Sequence, residues 1–176
     1  PQTEVDGQAV GVDEKVVWSR PFCDLIHFRR DLPRSRRPDP KLLIVAPMSG
    51  HYATLLRGTV EAMMQHAEVY ITDWTDARMV PVDAGPFRLA DYVAYGQEFI
   101  RHIGVHAHVI SVCQPTVPVL AAVSLMASDG ETTPPTMTMM GGPIDARRSP
   151  TAVNNLALNK KHRWFENSLI HRVPQN

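Results

Sequence analysis

Patterns typical of buried strands and of amphipathic helices alternate four times between residues 42 and 140. Residues 42–46 form a continuous apolar run, as expected for a strand that is buried on both faces. Further strands are predicted at 68–72, 106–110 and 136–140, and helices at 52–66, 89–103 and 116–126. This alternation predicts an α/β fold with a mostly parallel sheet and flanking helices. In such sheets, ligands bind beyond the carboxyl ends of the strands.

Four regions follow from the composition. Residues 1–30 are predicted to contain a polar, poorly ordered lead and two short strands, at 15–22 and 24–30. The predicted regions after it are an Arg/Pro linker at 31–41, the α/β core at 42–146 and the start of a cap or lid at 147–176. With 176 residues and Pro1 as the first, we interpret the chain as truncated before the C-terminal strands and most of the lid.

The arginines of the linker region have two interpretations. Arg29, Arg30, Arg34, Arg36 and Arg37 follow each other closely, and prolines interrupt them. We favour a solvated linker, because charge runs that contain proline seldom fold. Docking to an anionic surface is the alternative.

Composition argues against several classes of partner. Lys plus Arg and Asp plus Glu are 18 each, which predicts no general attraction to nucleic acid or anionic membranes. No apolar run is long enough for a transmembrane segment, and two cysteines make no disulfide framework, so we expect a cytoplasmic location. Motifs for phosphate or dinucleotide cofactors are absent, and we expect no cofactor. The alternating His106 and His108 have no third ligand in view, so we expect no metal.

Residues 111–115 are the candidate reactive segment. A strand pattern precedes Cys113 and a helix pattern follows it, which is the context of a nucleophile elbow. A thiolate is a strong nucleophile for ester carbonyls. Gln114 N–H is the candidate first donor to an oxyanion, and Met48, Ser49 or Gly50 supply the second. The alternative for Cys113 is a buried structural thiol, which is the role we expect for Cys23.

Other polar residues follow predicted strands and are expected at the same rim. Asp73, Trp74 and Asp145 are candidate site-lining residues, and His51 either lines the site or caps the following helix. After Cys113 the chain offers further acids and histidines, namely Asp129, Asp145, Glu166, His162 and His171. For these we favour structural or surface roles, with Asp145 a conceivable acid, and we expect the triad base and acid outside this chain.

Several segments together resemble one enzyme family. They are LLIVAPMSGHYATLLRGT at 42–59, YITDWTDAR at 70–78, VCQP at 112–115, MGGPID at 140–145 and SPTAVNNL at 149–156, with Trp164-Phe165. Together they resemble intracellular polyhydroxyalkanoate (polyhydroxybutyrate) depolymerases. The resemblance implies an α/β hydrolase with a lid, no cofactor and a Cys–Asp–His triad in which Cys113 is the nucleophile. It also implies a storage polyester as substrate, at the granule surface, and places the family's Asp and His further downstream.

Two alternatives to a depolymerase stay open. The first is a polyhydroxyalkanoate synthase-like acyltransferase, which also uses a Cys elbow. Pro115 argues against it, because synthases resemble Gly-x-Cys-x-Gly. The second is a non-catalytic granule-binding protein, which the missing acid and His suggest.

Overall fold

Seven strands form one mixed sheet in the computed structural model, which describes residues 1–33, 35–48, 53–104 and 106–170, with the backbone alone at 53–54. The strands are β1 Gln2–Val5, β2 Gln8–Arg20, β3 Cys23–Arg30, β4 Lys41–Val45, β5 Glu68–Trp74, β6 His108–Val112 and β7 Met137–Met140. The α-helices are α1 Arg57–Met63, α2 Leu89–Ile103, α3 Thr116–Ser128, α4 Ala152–Asn159 and α5 His162–Ser168. Single 3₁₀ turns cover Ala53–Leu56, Ala77–Met79 and Val82–Ala84.

The direction in which strands are added to the sheet reverses at β4. The sheet runs β1-β2-β3-β5-β4-β6-β7, and β5, β4, β6 and β7 are parallel. From β4 the chain passes through α1 to β5 on one side, and then through α2 to β6 on the other side. This reversal of direction is a topological switch point, where open α/β sheets bind their ligands. The predicted mostly parallel α/β fold is confirmed.

The core lies on both faces of the parallel strands. Leu43 and Val45 of β4 pack on one face with Phe99 and Ile100 of α2. The alternating residues of β4, Leu42 and Ile44, pack on the other face with α1. Each buried aliphatic side chain contributes about 1.5–3 kcal/mol through burial, which explains why the β4 run contains no polar residue after Lys41.

The predicted poorly ordered lead is wrong. Gln2–Val5 pairs with the start of β2, and Val5 lies opposite Gln8. Asp6 and Gly7 form the turn with φ values of 52° and 77°, so an Asp-Gly two-residue hairpin connects the strands. β2 then continues to Arg20 and pairs with β3, with a shift of register between Val16 and Trp18. The hairpin signal in the sequence is the Asp-Gly pair.

The solvated-linker interpretation is also wrong for part of the Arg/Pro segment. The Arg30 side chain is only 3% exposed, and its guanidinium donates to Met64 O (2.9 Å) and Asp39 Oδ2 (2.8 Å). Arg36 donates to the other Asp39 oxygen at 3.1 Å. Burial alone would raise the pKa of Asp39, but the hydrogen bonds and charges of Arg36 and Arg30 lower it. The linker is therefore fastened to the body of the sheet.

β7 is not the buried strand that its methionines predict. Met139 and Met140 are 37% and 50% exposed, and Met137 is half-buried. The reason is its position, since β7 pairs with β6 and ends the row of strands within the described part of the chain. A strand with one neighbour leaves part of its apolar surface uncovered.

Two compact units divide the chain, Pro1–Gly142 and Pro143–Asn176. The second unit contains α4 and α5, and neither helix has a buried residue among those described. The hydroxyl of Thr151 caps α4 by accepting from Asn154 N–H at 3.3 Å. Across the described residues, every helix is too short or too polar to cross a bilayer.

Candidate active site

Cys113 occupies the turn between β6 and α3. Its φ is +67°, in the left-handed region that a side chain disfavours, and its side chain is exposed. For a residue other than glycine this conformation costs roughly 1–2 kcal/mol. A strained residue between a parallel strand and a helix has the geometry of a nucleophile elbow, which presents its side chain at the top of the sheet.

Hydrogen bonds on both sides hold this strained residue. Cys113 N–H donates to Met140 O at 2.7 Å, across to the end of β7. The Cys113 carbonyl accepts from the hydroxyl and the N–H of Thr116, at 2.8 and 3.2 Å. Thr116 is fully buried, and a Cβ added to Gly142 would lie 1.7 Å from its Oγ1. The backbone at Gly142 therefore lies directly against Thr116, with no space for a side chain at position 142.

Gln114 N–H is available as an oxyanion donor. Within the described part of the chain it has no hydrogen-bond acceptor, while the Gln114 carbonyl accepts from Val117 N–H at 3.3 Å. It lies just ahead of α3, whose 13 residues include no acid in the first turn. The partial positive charge at the start of a helix stabilises negative charge nearby. The Gln114 N–H and the dipole of α3 therefore both favour an anion next to Gln114.

The loop after β4 is fastened where it leaves the sheet. Ala46 N–H donates to Thr72 Oγ1 at 2.9 Å, and the indole Nε1 of Trp74 donates to Ala46 O at 2.8 Å. Met48, two residues further on, is half-buried and packs against the core. The other two predicted oxyanion residues, Ser49 and Gly50, lie outside the described residues, as does His51.

Trp74 supports this loop and does not line an open site. Its side chain is predicted at the rim, but only 3% of it is exposed, and its ring lies 4.4 Å from that of Tyr92. The preceding residue, Asp73, is half-buried and lines a cavity of about 470 Å³ beside α1, together with Arg57 and Val60. Neighbouring residues of a strand point to opposite faces, which separates these two predicted site residues.

Asp145 has its carboxylate engaged by a neighbour in the second unit. Arg147 donates to it through Nε at 2.8 Å and Nη2 at 3.0 Å. These hydrogen bonds lower the pKa of Asp145. His162 Nδ1 lies 3.5 Å from Glu166 Oε1 within α5, on an exposed surface. His171 is outside the described residues.

The remaining predicted polar residues lie at the other end of the sheet. Asp129 follows the last residue of α3, so a helix of 13 residues, about 20 Å long, separates it from the elbow. His108 begins β6, and its Nδ1 is 2.8 Å from Thr136 Oγ1. His106 precedes β6 and is exposed. None of these three is brought to the carboxyl ends of the strands.

The two cysteines differ sharply in environment. Cys23 is completely buried in the core, and burial raises the pKa of its thiol. A buried thiol with a raised pKa is a poor nucleophile. Cys113 is exposed at the rim, so chemistry at this site is expected from Cys113.

Residues that the sequence interpretation missed hold the site together. Thr116, Gly142 and the Trp74–Ala46 hydrogen bond fix the elbow and the neighbouring loop. A Gly-Gly pair directly after a strand indicates a close backbone approach, and this signal could have identified Gly142. The Trp74 contact depends on two strands meeting and has no local signal.

Several solved structures share the fold at low sequence identity. They include the ester hydrolase EH1AB1 from the metagenome of Lake Arreo (14% identity, TM-score 0.58, covering 98% of this chain and 57% of that one). LAE6, an α/β-hydrolase enzyme from the same metagenome, has 14% identity, a TM-score of 0.52 and coverages of 89% and 50%. An esterase of Rhizomucor miehei has 12% identity, a TM-score of 0.53 and coverages of 84% and 48%. The chain spans about half the length of these proteins.

The strand order, the elbow and these similarities define the class of protein: this chain has the α/β-hydrolase fold. A family model described as "PHB de-polymerase C-terminus" matches residues 141–176. Over these residues the chain is similar to polyhydroxybutyrate depolymerases, in agreement with the resemblance that the sequence motifs indicate. A comparison with curated proteins finds no significant match.

Proposed function

We propose that the whole protein is an intracellular depolymerase that hydrolyses the esters of a poly(3-hydroxyalkanoate) storage polymer. The observation that carries this proposal is the exposed Cys113 at φ +67° between β6 and α3. The family match at 141–176 supports the choice of polyester over other esters. The proposed place of action is the surface of storage granules.

The proposed reaction passes through an acyl-enzyme. The sulfur of Cys113 bonds to the ester carbonyl carbon, and the carbonyl oxygen becomes an oxyanion beside Gln114 N–H. When the oxyanion collapses, the ester C–O bond breaks and the alcohol end of the polymer leaves with a proton. Water then hydrolyses the thioester and releases a hydroxyacid end. The base that carries these protons, and its acid, are proposed to come from outside the described residues.

Substitution of the nucleophile tests this proposal in the full-length protein. Cys113→Ala should abolish the release of hydroxyacids from amorphous granules. The matched control is Cys23→Ala, which removes the buried thiol and should keep the parent rate per folded molecule. Mass spectrometry of the quenched reaction should find a hydroxyacyl group on the peptide that contains Cys113.

Three results would contradict the depolymerase. Hydrolysis at the parent rate by Cys113→Ala would remove the thiol mechanism. Release of coenzyme A from hydroxyacyl-CoA, with no cleavage of polymer, would identify an acyltransferase. Co-sedimentation with granules without any cleavage would identify a binding protein.

A further inference from the structure

The segment between β5 and α2, residues 75–88, exposes large aliphatic side chains; we name it the rim loop. Met79 is 75% exposed and Val82 is 97% exposed. Leu89, the first residue of α2, adds a further exposed aliphatic side chain. Single exposed apolar residues are normal on a protein surface, but several within one short stretch of chain indicate a contact surface.

Hydrogen bonds order the backbone of the rim loop. Its two 3₁₀ turns are closed by hydrogen bonds from Met79 N–H to Asp76 O (2.8 Å) and from Gly85 N–H to Val82 O (3.1 Å). Its base is fixed by Thr75 N–H, which donates to Phe22 O at 3.0 Å. A surface that is already ordered loses little conformational entropy on binding.

An uncharged groove of about 410 Å³ runs along the loop. Apolar residues line it, among them Phe22, Val80, Pro81, Val82 and Pro86. The Phe22 ring is held 4.8 Å from that of Phe87. Aliphatic and aromatic walls of this kind suit a ligand made of methyl, methylene and ester groups.

The formal charges of the rim loop balance, with Asp76 and Asp83 against Arg78 and Arg88. Arg78 donates to Asp76 Oδ2 through Nε at 3.0 Å and Nη2 at 2.6 Å. The carboxylate of Asp91, in α2, accepts from the Arg88 backbone N–H at 2.7 Å. An anionic membrane, a nucleic acid or a charged peptide would find no excess of opposite charge here. The electrostatic match is with an uncharged partner.

The groove lies at the reactive edge of the sheet. The rim loop leaves the carboxyl end of β5, and Cys113 follows the carboxyl end of β6, with β4 between them. Two strand spacings amount to about 10 Å. Because Phe22 precedes β3, on the other side of β5, the groove lies two to three strand spacings, about 10–15 Å, from the elbow, a distance that an extended polymer surface covers.

We propose that the rim loop is the surface by which the protein docks on amorphous poly(3-hydroxyalkanoate), beside the ester that Cys113 attacks. This inference rests on the proposed function for the identity of the polymer. To the proposed function it adds where the protein contacts the polymer and that this contact is aliphatic and uncharged. It also separates polymer binding from the reaction at Cys113.

The test replaces the exposed valine of the loop in the full-length protein. Val82→Ser, and the double variant with Met79→Ser, should weaken co-sedimentation with amorphous granules about tenfold or more, since each loses the burial of an aliphatic group. The matched control is Val16→Ser, another exposed valine, on β2. Granule binding is measured in a Cys113→Ala background, and hydrolysis of a soluble hydroxybutyrate oligomer in the Cys113 background.

The expected pattern is a loss of granule binding with an unchanged rate on the soluble oligomer. An equal loss in Val16→Ser would overturn the proposal, because binding would then be general adhesion. Stronger binding to vesicles of phosphatidylcholine and phosphatidylglycerol than to granules would overturn it in favour of a membrane surface. If granules are bound through the loop but never cleaved, docking stands and the depolymerase proposal fails.

Discussion

Because the backbone at Cys113 is strained, variants with glycine and with alanine at this position should differ in stability. Both Cys113→Gly and Cys113→Ala remove the thiol. Alanine keeps a Cβ at φ +67°, whereas glycine adopts this conformation without strain. We therefore expect the glycine variant to be the more stable of the two.

The magnitude follows from two opposing terms. Relief of the left-handed conformation contributes about 1–2 kcal/mol to the glycine variant. The greater freedom of glycine in the unfolded chain subtracts about 0.4–1 kcal/mol. At the midpoints of these two ranges, the net difference in the free energy of unfolding is about 0.8 kcal/mol in favour of glycine. For a domain of 150–250 residues, this corresponds to about 1–4 °C in Tm.

Urea unfolding of the two variants, followed by far-UV circular dichroism, measures this difference. The matched control is the same pair of substitutions at Ser124, an exposed position inside α3, where helical backbone makes glycine the less stable residue by roughly 1 kcal/mol. A glycine variant at 113 that is equal to or less stable than the alanine variant would refute the assignment of strain to this residue.

Three further predictions concern stability. Gly142→Ala places a Cβ against Thr116 and should cost about 1–3 kcal/mol in urea unfolding; an unchanged midpoint would contradict the close approach. Asp39→Asn should cost about 2–3 kcal/mol at pH 7 by leaving Arg30 without a carboxylate. Because the pKa of Asp39 is lowered in the fold, this stabilisation exists above its unfolded pKa of about 4 and is lost as pH falls through the folded value, so the two proteins should converge in acid. Ser111→Ala should stay within about 0.5 kcal/mol of the parent or stabilise it, since the buried Ser111 hydroxyl has no partner among the described residues; a loss above 1 kcal/mol in the same assay would reveal one.

Elements with strong periodicity could be predicted from the sequence, and their ends could be predicted less well. α2 has the predicted bounds, because an apolar stripe fills it and Gly104 ends it. β6 begins and ends two residues later than predicted, at His108–Val112, since a turn from Gly104 O to Ala107 N–H precedes it. The predicted helix at 52–66 is shortened to Arg57–Met63 behind a 3₁₀ turn.

Contacts between distant residues explain what the sequence could not show. The strand–turn–helix pattern around Cys113 is local, and the elbow was predictable for that reason. The burial of Arg30 depends on Asp39 and Met64, and the burial of Trp74 depends on Ala46. Such partners lie between 9 and 34 positions apart, and no periodicity identifies them.

The hydrogen bond from Trp74 to Ala46 also makes the Trp74 indole a fluorescent probe of the loop after β4. An indole in an apolar site emits at shorter wavelength than an indole in water, and its emission depends on whether Nε1 donates a hydrogen bond. Trp74 is buried and hydrogen-bonded to Ala46, the residue from which the loop after β4 departs. With Trp18 and Trp164 replaced by phenylalanine, the remaining fluorescence would follow displacement of that departure point during turnover, without an attached dye.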